Sequence, residues 1–274
     1  MEVKTKAIVL RTVKYGESRF IVDLLTREVG RVSFICQLTK SGHGKIKKQL
    51  FQPLTLLDIV FDYRKNLTLQ RFQDLRIGHA YLSLPFDAYK LSISLFLAEF
   101  LVYATRDEQD NRPLFDFIET SLLWLDNATD GFSNFHLVFM MRISLFIGFF
   151  PNMESYQEGA WFDLRDGIFS LLRPAHTDCL NPDEATHVVT LMRMSLDNMQ
   201  LFRMSRVDRN RCTDIILYYY RLHLPDFPEL RSLAVLKELF SVCRLCGGHP
   251  SIGIIGKSGS PEVQKFSHMH KHLI

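Results

Sequence analysis

The chain has 274 residues, of which 47% are hydrophobic, so it is long enough to bury a substantial core in two domains. Its net charge of +3 conceals an asymmetry, because residues 1–80 carry 15 Lys and Arg against 7 Asp and Glu, whereas residues 81–240 carry 14 against 22. The composition excludes a disordered chain, and the excess positive charge of the first segment indicates a polyanionic ligand there.

The N-terminal part of the chain has a hydrophobic period near two, which predicts β-strands. Its first residues alternate polar and apolar and lack the features of a secretory signal, so we expect a cytoplasmic protein. Five short strands with a long insert between the third and the fourth are typical of an oligonucleotide/oligosaccharide-binding (OB) barrel, which we predict for residues 1–78. The predicted strands are Lys4–Val13, Arg19–Thr26, Arg31–Cys36, Leu54–Tyr63 and Leu67–Asp74.

Basic residues of this barrel lie in or beside its turns, and the connection from residue 37 to residue 52 holds four lysines and no acidic residue. Proteins that bind single strands combine a positive groove for phosphates with aromatic faces for bases. Tyr15, Tyr63 and Phe72 border the turns, whereas we assign Phe20, Phe34, Phe51 and Phe61 to the core. The alternative for the lysine-rich connection is a solvated loop. The predicted nucleic-acid-binding residues are Lys14, Tyr15, Arg19, Arg31, Lys40, Lys45, Lys47, Lys48, Arg64, Lys65 and Arg71.

From about residue 78 the pattern becomes helical, and two apolar runs, 91–104 and 135–150, are shorter than the roughly 20 residues of a membrane span. They are typical of buried helices. The predicted helices are Phe86–Arg106, Leu114–Leu125, Phe135–Ile147, Pro182–Asn198, Asp208–Leu224 and Glu229–Phe240. A hairpin is expected from Trp161–Leu164 and Ile168–Leu172. The predicted fold is therefore α+β and multidomain, with an all-helical partner-binding domain over residues 79–240 apart from this hairpin.

Four arginines cluster within this acidic domain, at positions 203, 206, 209 and 211. They either hold an acidic partner peptide, for which Arg203 and Arg206 are the predicted contacts, or pair with nearby acidic residues such as Asp208. His136 stands alone on an apolar helix and is expected to be a hydrogen-bonded core residue.

Residues 241–274 are rich in glycine and histidine and show no periodic apolar face, so we predict a flexible tail. Cys243 and Cys246 form a single CxxC pair, and the 21 residues between Cys246 and His268 exceed the spacing of a zinc finger. Five cysteines at irregular spacing do not form a disulfide framework. We therefore predict reduced thiols, no metal and no cofactor.

Catalytic motifs are missing from the sequence. It contains no GxxxxGK[ST], GxSxG or HExxH. The segment around Gly256-Lys257-Ser258 imitates the end of a phosphate-binding loop, but the preceding glycine is three residues back instead of five. We predict that the chain is not an enzyme.

Several stretches resemble the RecO family of bacterial DNA repair and recombination mediators. Near the N-terminus they are residues 6–18 (KAIVLRTVKYGES), 26–31 (TREVGR) and 52–57 (QPLTLL), and near the other end 219–225 (YYRLHLP) and 230–236 (LRSLAVL). The YGES turn followed by the REVG strand entry is specific in that order. Together the resembling stretches span about residues 1–240.

The resemblance implies an OB barrel and a helical domain that bind single- and double-stranded DNA and anneal complementary strands. It also implies two partners, RecR and the acidic tail of single-stranded-DNA-binding protein (SSB). The resemblance further implies an indirect action on RecA, because such proteins help RecA to load onto SSB-coated strands. Many members carry four zinc cysteines in the region that corresponds here to residues 148–182, but this chain has only Cys179 there. A zinc ribbon is therefore not expected.

Two other functions are compatible with the sequence. A metal-dependent nucleic-acid enzyme would use the cysteines and histidines of the tail, but a carboxylate cluster with two-metal spacing is not apparent. An OB and helical scaffold that binds only proteins would differ from a DNA mediator in a titration against single-stranded oligonucleotides at two salt concentrations.

Overall fold

A computed structural model of the chain describes residues 1–17, 19–37, 48–106 and 111–242. It has an N-terminal β-sheet domain followed by a mainly helical domain. The sheet has six strands in the order β5-β3-β2-β1-β4-β6. They are β1 (Glu2–Tyr15), β2 (Arg19–Thr26), β3 (Gly30–Gln37), β4 (Leu56–Asp62), β5 (Leu69–Gln70) and β6 (Phe72–His79).

The predicted fifth strand, Leu67–Asp74, is divided in the structure, so the five-stranded barrel is not confirmed in detail. β5 pairs with β3 in parallel, and β6 pairs with β4 antiparallel. Arg71 alone separates them, and the β4–β6 register is irregular where Phe61 pairs with Phe72 and Val60 with Asp74. That irregularity is a bulge at Gln73, which bends the strand and ends the alternation on which the sequence prediction depended.

Strand β1 contributes to two cores because consecutive side chains of a strand point to opposite faces. Ala7 and Val9 belong to the sheet's own core with the three predicted core residues Phe34, Phe51 and Phe61. Ile8 and Leu10 belong instead to the core of the helical domain. The sheet is therefore apolar on both faces along the middle of β1, and one face packs on helices.

Six α-helices build the second domain within the described residues. They are α1 (Ala88–Ala104), α2 (Arg112–Asn127), α3 (Phe135–Phe146), α4 (Pro182–Arg193), α5 (Arg206–His223) and α6 (Ser232–Val242). Side-chain caps fix the start of four of them, at Asp87, Asn111, Asn181 and Ser205. No helix in the described ranges is long and apolar enough to cross a membrane.

The second domain is not all-helical, which corrects the prediction. Strands β7 (Trp161–Asp163), β8 (Ile168–Ser170) and β9 (Cys179–Leu180) form a small antiparallel sheet. The expected hairpin is confirmed as β7 and β8, but the two residues of β9 are too few to give a strand pattern in the sequence. Helix α6 continues to Val242 and so includes the first two residues of the predicted tail, and residues 243–274 lie outside the described part of the chain.

A buried carboxylate fixes the linker between the domains. Asp126, near the end of α2, accepts hydrogen bonds from the backbone N–H groups of Leu82, Ser83 and Leu84 at 2.7–2.9 Å. Lys90 Nζ donates to the Asp126 carbonyl at 2.9 Å. Burial raises the pKa of Asp126, but these donors outweigh it and hold that pKa below its ordinary value. The linker is thus rigidly held.

Candidate nucleic-acid interface

Three of the predicted residues surround the β1–β2 turn. The register pairs Tyr15 with Arg19 and Lys14 with Phe20, so the turn closes directly beyond Tyr15. Gly16 has a φ of +73°, the left-handed conformation that such a short loop requires. Lys14, Tyr15 and Arg19 are all exposed. This end of the sheet therefore presents two cations and one aromatic ring to solvent.

Arg64 and Lys65 lie exposed in the loop that joins β4 to β5. Buried Gln70 organises this loop, because its side chain accepts from Arg64 N at 3.1 Å and donates to the Arg64 and Leu67 carbonyls at 2.9 and 2.8 Å. Asp62 binds Arg64 Nε at 3.1 Å. The loop is therefore preorganised, and one of its two cations already has an acidic neighbour.

Arg71 is exposed at the junction of β5 and β6. The register places β5 beside the middle of β3, with Ser33 opposite Leu69, whereas Arg19 pairs with Gln37 at the end of β3. The four residue steps from Ser33 to Gln37 span about 13 Å at the usual rise of a strand. The β1–β2 turn and the β4–β5 loop thus lie toward opposite ends of β3.

The lysine-rich connection falls mostly outside the described residues, which include neither Lys40 nor Lys45 nor Lys47. Lys48 begins a short 3-10 helix, Lys48–Phe51. Phosphate binding by these four lysines stays a prediction.

Arg31 serves the structure instead of facing solvent. Its side chain is 14% exposed, and it contacts Asp23 Oδ2 at 3.3 Å and donates to the Val102 carbonyl of α1 at 2.5 Å. Asp23 also accepts from Arg11 at 2.6 Å and from Ser33 at 2.5 Å. Burial opposes ionisation of Asp23, but these contacts keep its pKa below the ordinary value. The geometry argues against the predicted phosphate contact of Arg31.

The three aromatic residues predicted to border the turns differ in exposure. Tyr15 is 53% exposed. Tyr63 is half-buried, with its ring 6.0 Å from that of Phe61. Phe72 stacks on Phe34 with ring centroids 4.2 Å apart and is part of the sheet core. Tyr15 alone among them offers a largely open face for a base.

The arginine cluster of the helical domain separates into residues of different roles. Arg209 binds Asn134 Oδ1 at 3.0 Å, and Arg211 forms an ion pair with Glu184. Arg206 is half-buried and donates to the Lys237 carbonyl at 3.2 Å, whereas Arg203 is exposed. Leu201, close to Arg203 in sequence, is 76% exposed. Arg211 therefore pairs with an acidic residue, as one of the two alternatives predicted, whereas peptide binding by Arg203 and Arg206 stays a prediction.

A cavity of about 550 Å³ between the end of α3 and the end of α4 was not predicted. Its apolar lining comes from Leu145, Phe150, Met153 and Met192, and Arg193 also lines it. Arg142 stacks on Phe150 with its guanidinium 6.0 Å from the ring centroid. These residues come from separate segments of the sequence, and no local motif joins them.

The predicted core histidine is confirmed. His136 is 1% exposed, and its Nε2 lies 3.2 Å from Thr213 Oγ1. Because the Thr213 hydroxyl donates its proton to the Arg209 carbonyl, Nε2 is the donor in this contact. Among the described residues no cluster of three His, Cys, Asp or Glu side chains is arranged to hold a metal ion. Cys243 and Cys246 lie outside them.

Comparison with known proteins gives matches over most of the chain. Residues 1–81 match the family described as Recombination protein O N terminal, and residues 85–234 match that described as Recombination protein O C terminal. The chain is 50% identical over 238 residues to DNA repair protein RecO of Phocaeicola vulgatus, covering 87% of this chain and 99% of the relative. It is 47% identical over 238 residues to DNA repair protein RecO of Bacteroides fragilis, covering 86% and 98%. With DNA repair protein RecO of Porphyromonas gingivalis it shares 33% identity over 244 residues, covering 88% and 100%.

Proposed function

The chain belongs to the RecO family of DNA repair proteins, and on that premise we propose that it binds single- and double-stranded DNA, anneals complementary strands and helps to load recombinase onto SSB-coated strands. Proteins of this family are repair mediators and not enzymes. The observation that carries the DNA-binding proposal is the exposure of basic side chains in or beside two loops that lie toward opposite ends of β3.

We propose that the sheet domain, residues 1–78, is an OB-type barrel. β5 and β6 lie at the two edges of the strand order, yet only Arg71 separates them in sequence. One bent segment therefore connects the two edges, which is compatible with closure of the sheet into a barrel. OB folds bind oligonucleotides with the loops between strands 1 and 2 and between strands 4 and 5. Lys14 and Arg19 flank the first of these loops, and Arg64 and Lys65 lie in the second.

Salt dependence tests the DNA-binding face. The triple change Arg19→Glu, Lys65→Glu and Arg71→Glu should reduce the slope of log affinity against log salt by about 2, because each phosphate that a cation neutralises on a single strand accounts for roughly 0.7 of that slope. A second triple change, Lys45→Glu, Lys47→Glu and Lys48→Glu, tests the lysine-rich connection in the same titration. Fluorescence anisotropy with a labelled oligonucleotide at several salt concentrations gives both slopes.

The matched control is Arg173→Glu, which makes the same charge change per residue on an exposed position of the helical domain. It should leave the slope unchanged if the sheet domain binds DNA. Equal losses of affinity per substituted residue from the control and from the first triple variant would mean that net charge and not the two loops governs binding. An unchanged slope in both triple variants would overturn the proposed face.

We further propose that the helical domain, residues 79–240, binds partner proteins, acting with RecR and, through SSB, indirectly on RecA. An acidic peptide with an apolar end needs a cationic rim and an apolar pocket, because exposed charge pairs contribute only about 0–1 kcal/mol each. Exposed Arg203, with Arg206 nearby, offers the cationic rim, and exposed Leu201 lies close to Arg203 in sequence. The cavity at Arg193 offers an apolar lining beside a cation, with the acidic Glu154 also in its lining.

Charge reversal distinguishes these two surfaces. Arg203→Glu with Arg206→Glu should weaken binding of an SSB C-terminal peptide, most strongly at low salt, if the peptide lies at the start of α5. Arg193→Glu should do so instead if it occupies the cavity. Calorimetry with the peptide gives the affinities, and oligonucleotide binding should stay intact in both variants. Loss of DNA binding would show that the two domains do not divide the work in this way.

A further inference from the structure

The face of the sheet that packs on helices is covered only in part. Residues that pair directly on neighbouring antiparallel strands point to the same face, so β1, β2 and β3 carry side chains in rows across the sheet. In the row of Ile8, Leu25 and Arg31, the two apolar residues belong to the core of the helical domain and Arg31 donates to α1. Asp23, in the next row along β2, is still buried. The cover ends beyond that row.

The row that follows consists of three aliphatic side chains. The register pairs Val13 with Ile21 and Ile21 with Ile35, so the three lie side by side on this face. Val13 is 47% exposed, and Ile21 and Ile35 are half-buried. None of them belongs to a hydrophobic core among the described residues. These three residues, the aliphatic row, form an apolar strip about 10 Å wide between its outer strands.

Strand propensity does not account for the aliphatic row by itself. Threonine also favours strands, so these positions could keep the strand conformation without exposing apolar surface to water. Single exposed apolar residues are common on protein surfaces, but here the three are contiguous because the register aligns them. Contiguous apolar surface indicates a ligand that covers it.

Cations flank the aliphatic row on both sides. Arg11 lies in the row before it, opposite Asp23, and 49% of the Arg11 side chain is exposed. In the row after it Tyr15 pairs with Arg19, and both are exposed. These two flanking rows are about 13 Å apart, which is four residue steps along a strand. Because Asp23 is buried, the exposed charged groups of the three rows are both arginines.

This combination of charge and apolar surface fits a single strand of nucleic acid. The flanking arginines are complementary to a polyanion, and the strip between them is complementary to apolar faces on that polyanion. A single strand offers both, because its unpaired bases can leave the stack and lie on a protein surface. In a duplex the base faces cover one another, and a protein meets only the phosphates and the edges of the bases in the grooves.

We propose that the aliphatic row is the surface on which unpaired bases of a single strand lie, between phosphates held by Arg11 and Arg19. The inference rests on the proposed DNA-binding function and deepens it, since it names the residues that favour single strands over duplexes. Burial of base faces on the row strengthens single-strand binding, whereas duplex binding depends on the cations alone. The row therefore contributes affinity that does not depend on salt.

An abasic oligonucleotide tests the base contact without any change in the protein. The unaltered chain should bind a base-bearing strand about tenfold more tightly than an abasic strand of the same length, because both strands carry the same phosphates. The double variant Val13→Thr with Ile21→Thr removes apolar surface and keeps β-branched side chains on both strands. It should lose most of this tenfold ratio, with an unchanged salt slope and an unchanged affinity for a blunt duplex.

The matched control is Leu201→Thr with Val207→Thr, which alters two aliphatic residues that are 76% and 72% exposed on the helical domain. It should keep the full ratio. Fluorescence anisotropy with the three labelled ligands gives all the affinities, and urea denaturation shows whether each variant is folded.

Two kinds of negative result are distinguishable. If the unaltered chain binds neither single strands nor duplexes, the proposed DNA-binding function fails and the base contact fails with it. If it binds DNA but does not distinguish abasic from base-bearing strands, only the base contact is overturned. A folded row variant that keeps the full ratio would also overturn it and would leave the row free for a protein ligand. So would an equal loss of duplex and single-strand affinity in that variant.

Discussion

Arg31 and Arg19 lie on neighbouring strands of one sheet, yet they serve different purposes. Arg31 is 14% exposed and is held between Asp23 and a carbonyl of α1, whereas Arg19 is exposed beside the β1–β2 turn. Both contribute equally to the positive charge of the first 80 residues. An excess of positive charge therefore indicates which domain binds a polyanion. Which of its cations can bind the polyanion depends on the contacts that each cation makes within the folded protein.

The difference follows from desolvation. A guanidinium removed from water at the junction of sheet and helices is tolerable only beside a carboxylate, and Asp23 supplies it. The same carboxylate accepts from Arg11 and Ser33, so three side chains depend on it. At the exposed end of the sheet water solvates Arg19, and the side chain stays free to exchange that water for phosphate.

Removal of the shared carboxylate should give the largest effect. Asp23→Asn leaves Arg31 buried without a charged partner, and we expect a loss of about 3 kcal/mol in the free energy of unfolding. Urea denaturation followed by circular dichroism measures it. Oligonucleotide affinity at a temperature where the variant is folded should be unchanged. A loss below about 0.5 kcal/mol, the size of an ordinary surface change, would show that the buried network is dispensable.

Buried His136 provides the contrasting case of a group kept neutral. Burial, with a smaller contribution from Arg209, lowers the pKa of His136 from 6.5 to about 3. Between these values the unfolded chain binds a proton that the folded chain excludes. The free energy of unfolding therefore keeps the full contribution of neutral His136 above pH 6.5. Below pH 6.5 it falls by about 1.4 kcal/mol per pH unit until the pH reaches the folded-state pKa.

Urea midpoints measured between pH 7 and pH 4 check this slope. His136→Gln keeps a side-chain donor for Thr213 and removes the titration, so its stability should depend less on pH over the same range. Parallel curves for the two proteins would mean that His136 does not titrate between its folded and unfolded states in this way.

Much of the fold follows from the sequence where the pattern of apolar residues is regular. The first four strands and the six helices of the described residues were predicted near their observed positions, because β3, β4 and the start of β1 alternate and α1 and α3 are apolar on nearly every face. The fifth strand was misjudged. The bulge at Gln73 and the exposure of β6 remove the alternation that would have marked it.

The candidate site was less predictable than the fold. Arg31 and Arg19 have similar positions, at or near the start of a strand that follows a turn, and the contact of Arg31 with Val102 joins positions 71 residues apart. Asp23 was overlooked, although an acidic residue inside the apolar strand FIVDLL is a signal for a buried ion pair. The cavity at Arg193 depends on the packing of two helices and had no signal in the sequence.

A matched pair of substitutions tests the division between the two classes of arginine. Arg31→Met should cost about 1–3 kcal/mol of stability, because it removes a buried hydrogen-bonding partner of Asp23 and Val102, and should leave DNA binding intact. Arg71→Met should leave stability unchanged and reduce the salt slope of DNA binding by about 0.7. Denaturation measures the free energy of unfolding of each variant, and fluorescence anisotropy measures the salt slope of DNA binding of each variant. A reversed pattern would mean that Arg31 reaches DNA and Arg71 does not.

The smallest expected effect is a gain, at Arg64, an exposed cation of the β4–β5 loop that has an acidic neighbour. Asp62 contacts Arg64 Nε at 3.1 Å and the N-terminal ammonium group at 2.7 Å, and these donors lower the pKa of Asp62. Asp62→Asn removes a negative charge that competes with phosphate for Arg64 while it preserves the shape of the loop. Single-strand affinity should therefore rise slightly at low salt, and the salt slope should steepen by up to about 0.7 as Arg64 becomes a full phosphate contact.

Asp166→Asn, in the turn between β7 and β8, removes the same charge far from this loop in sequence and is the control, which should change neither quantity. If both substitutions raise the affinity equally, only the net charge matters, and if Asp62→Asn weakens binding, Asp62 positions Arg64 for DNA instead of withholding it.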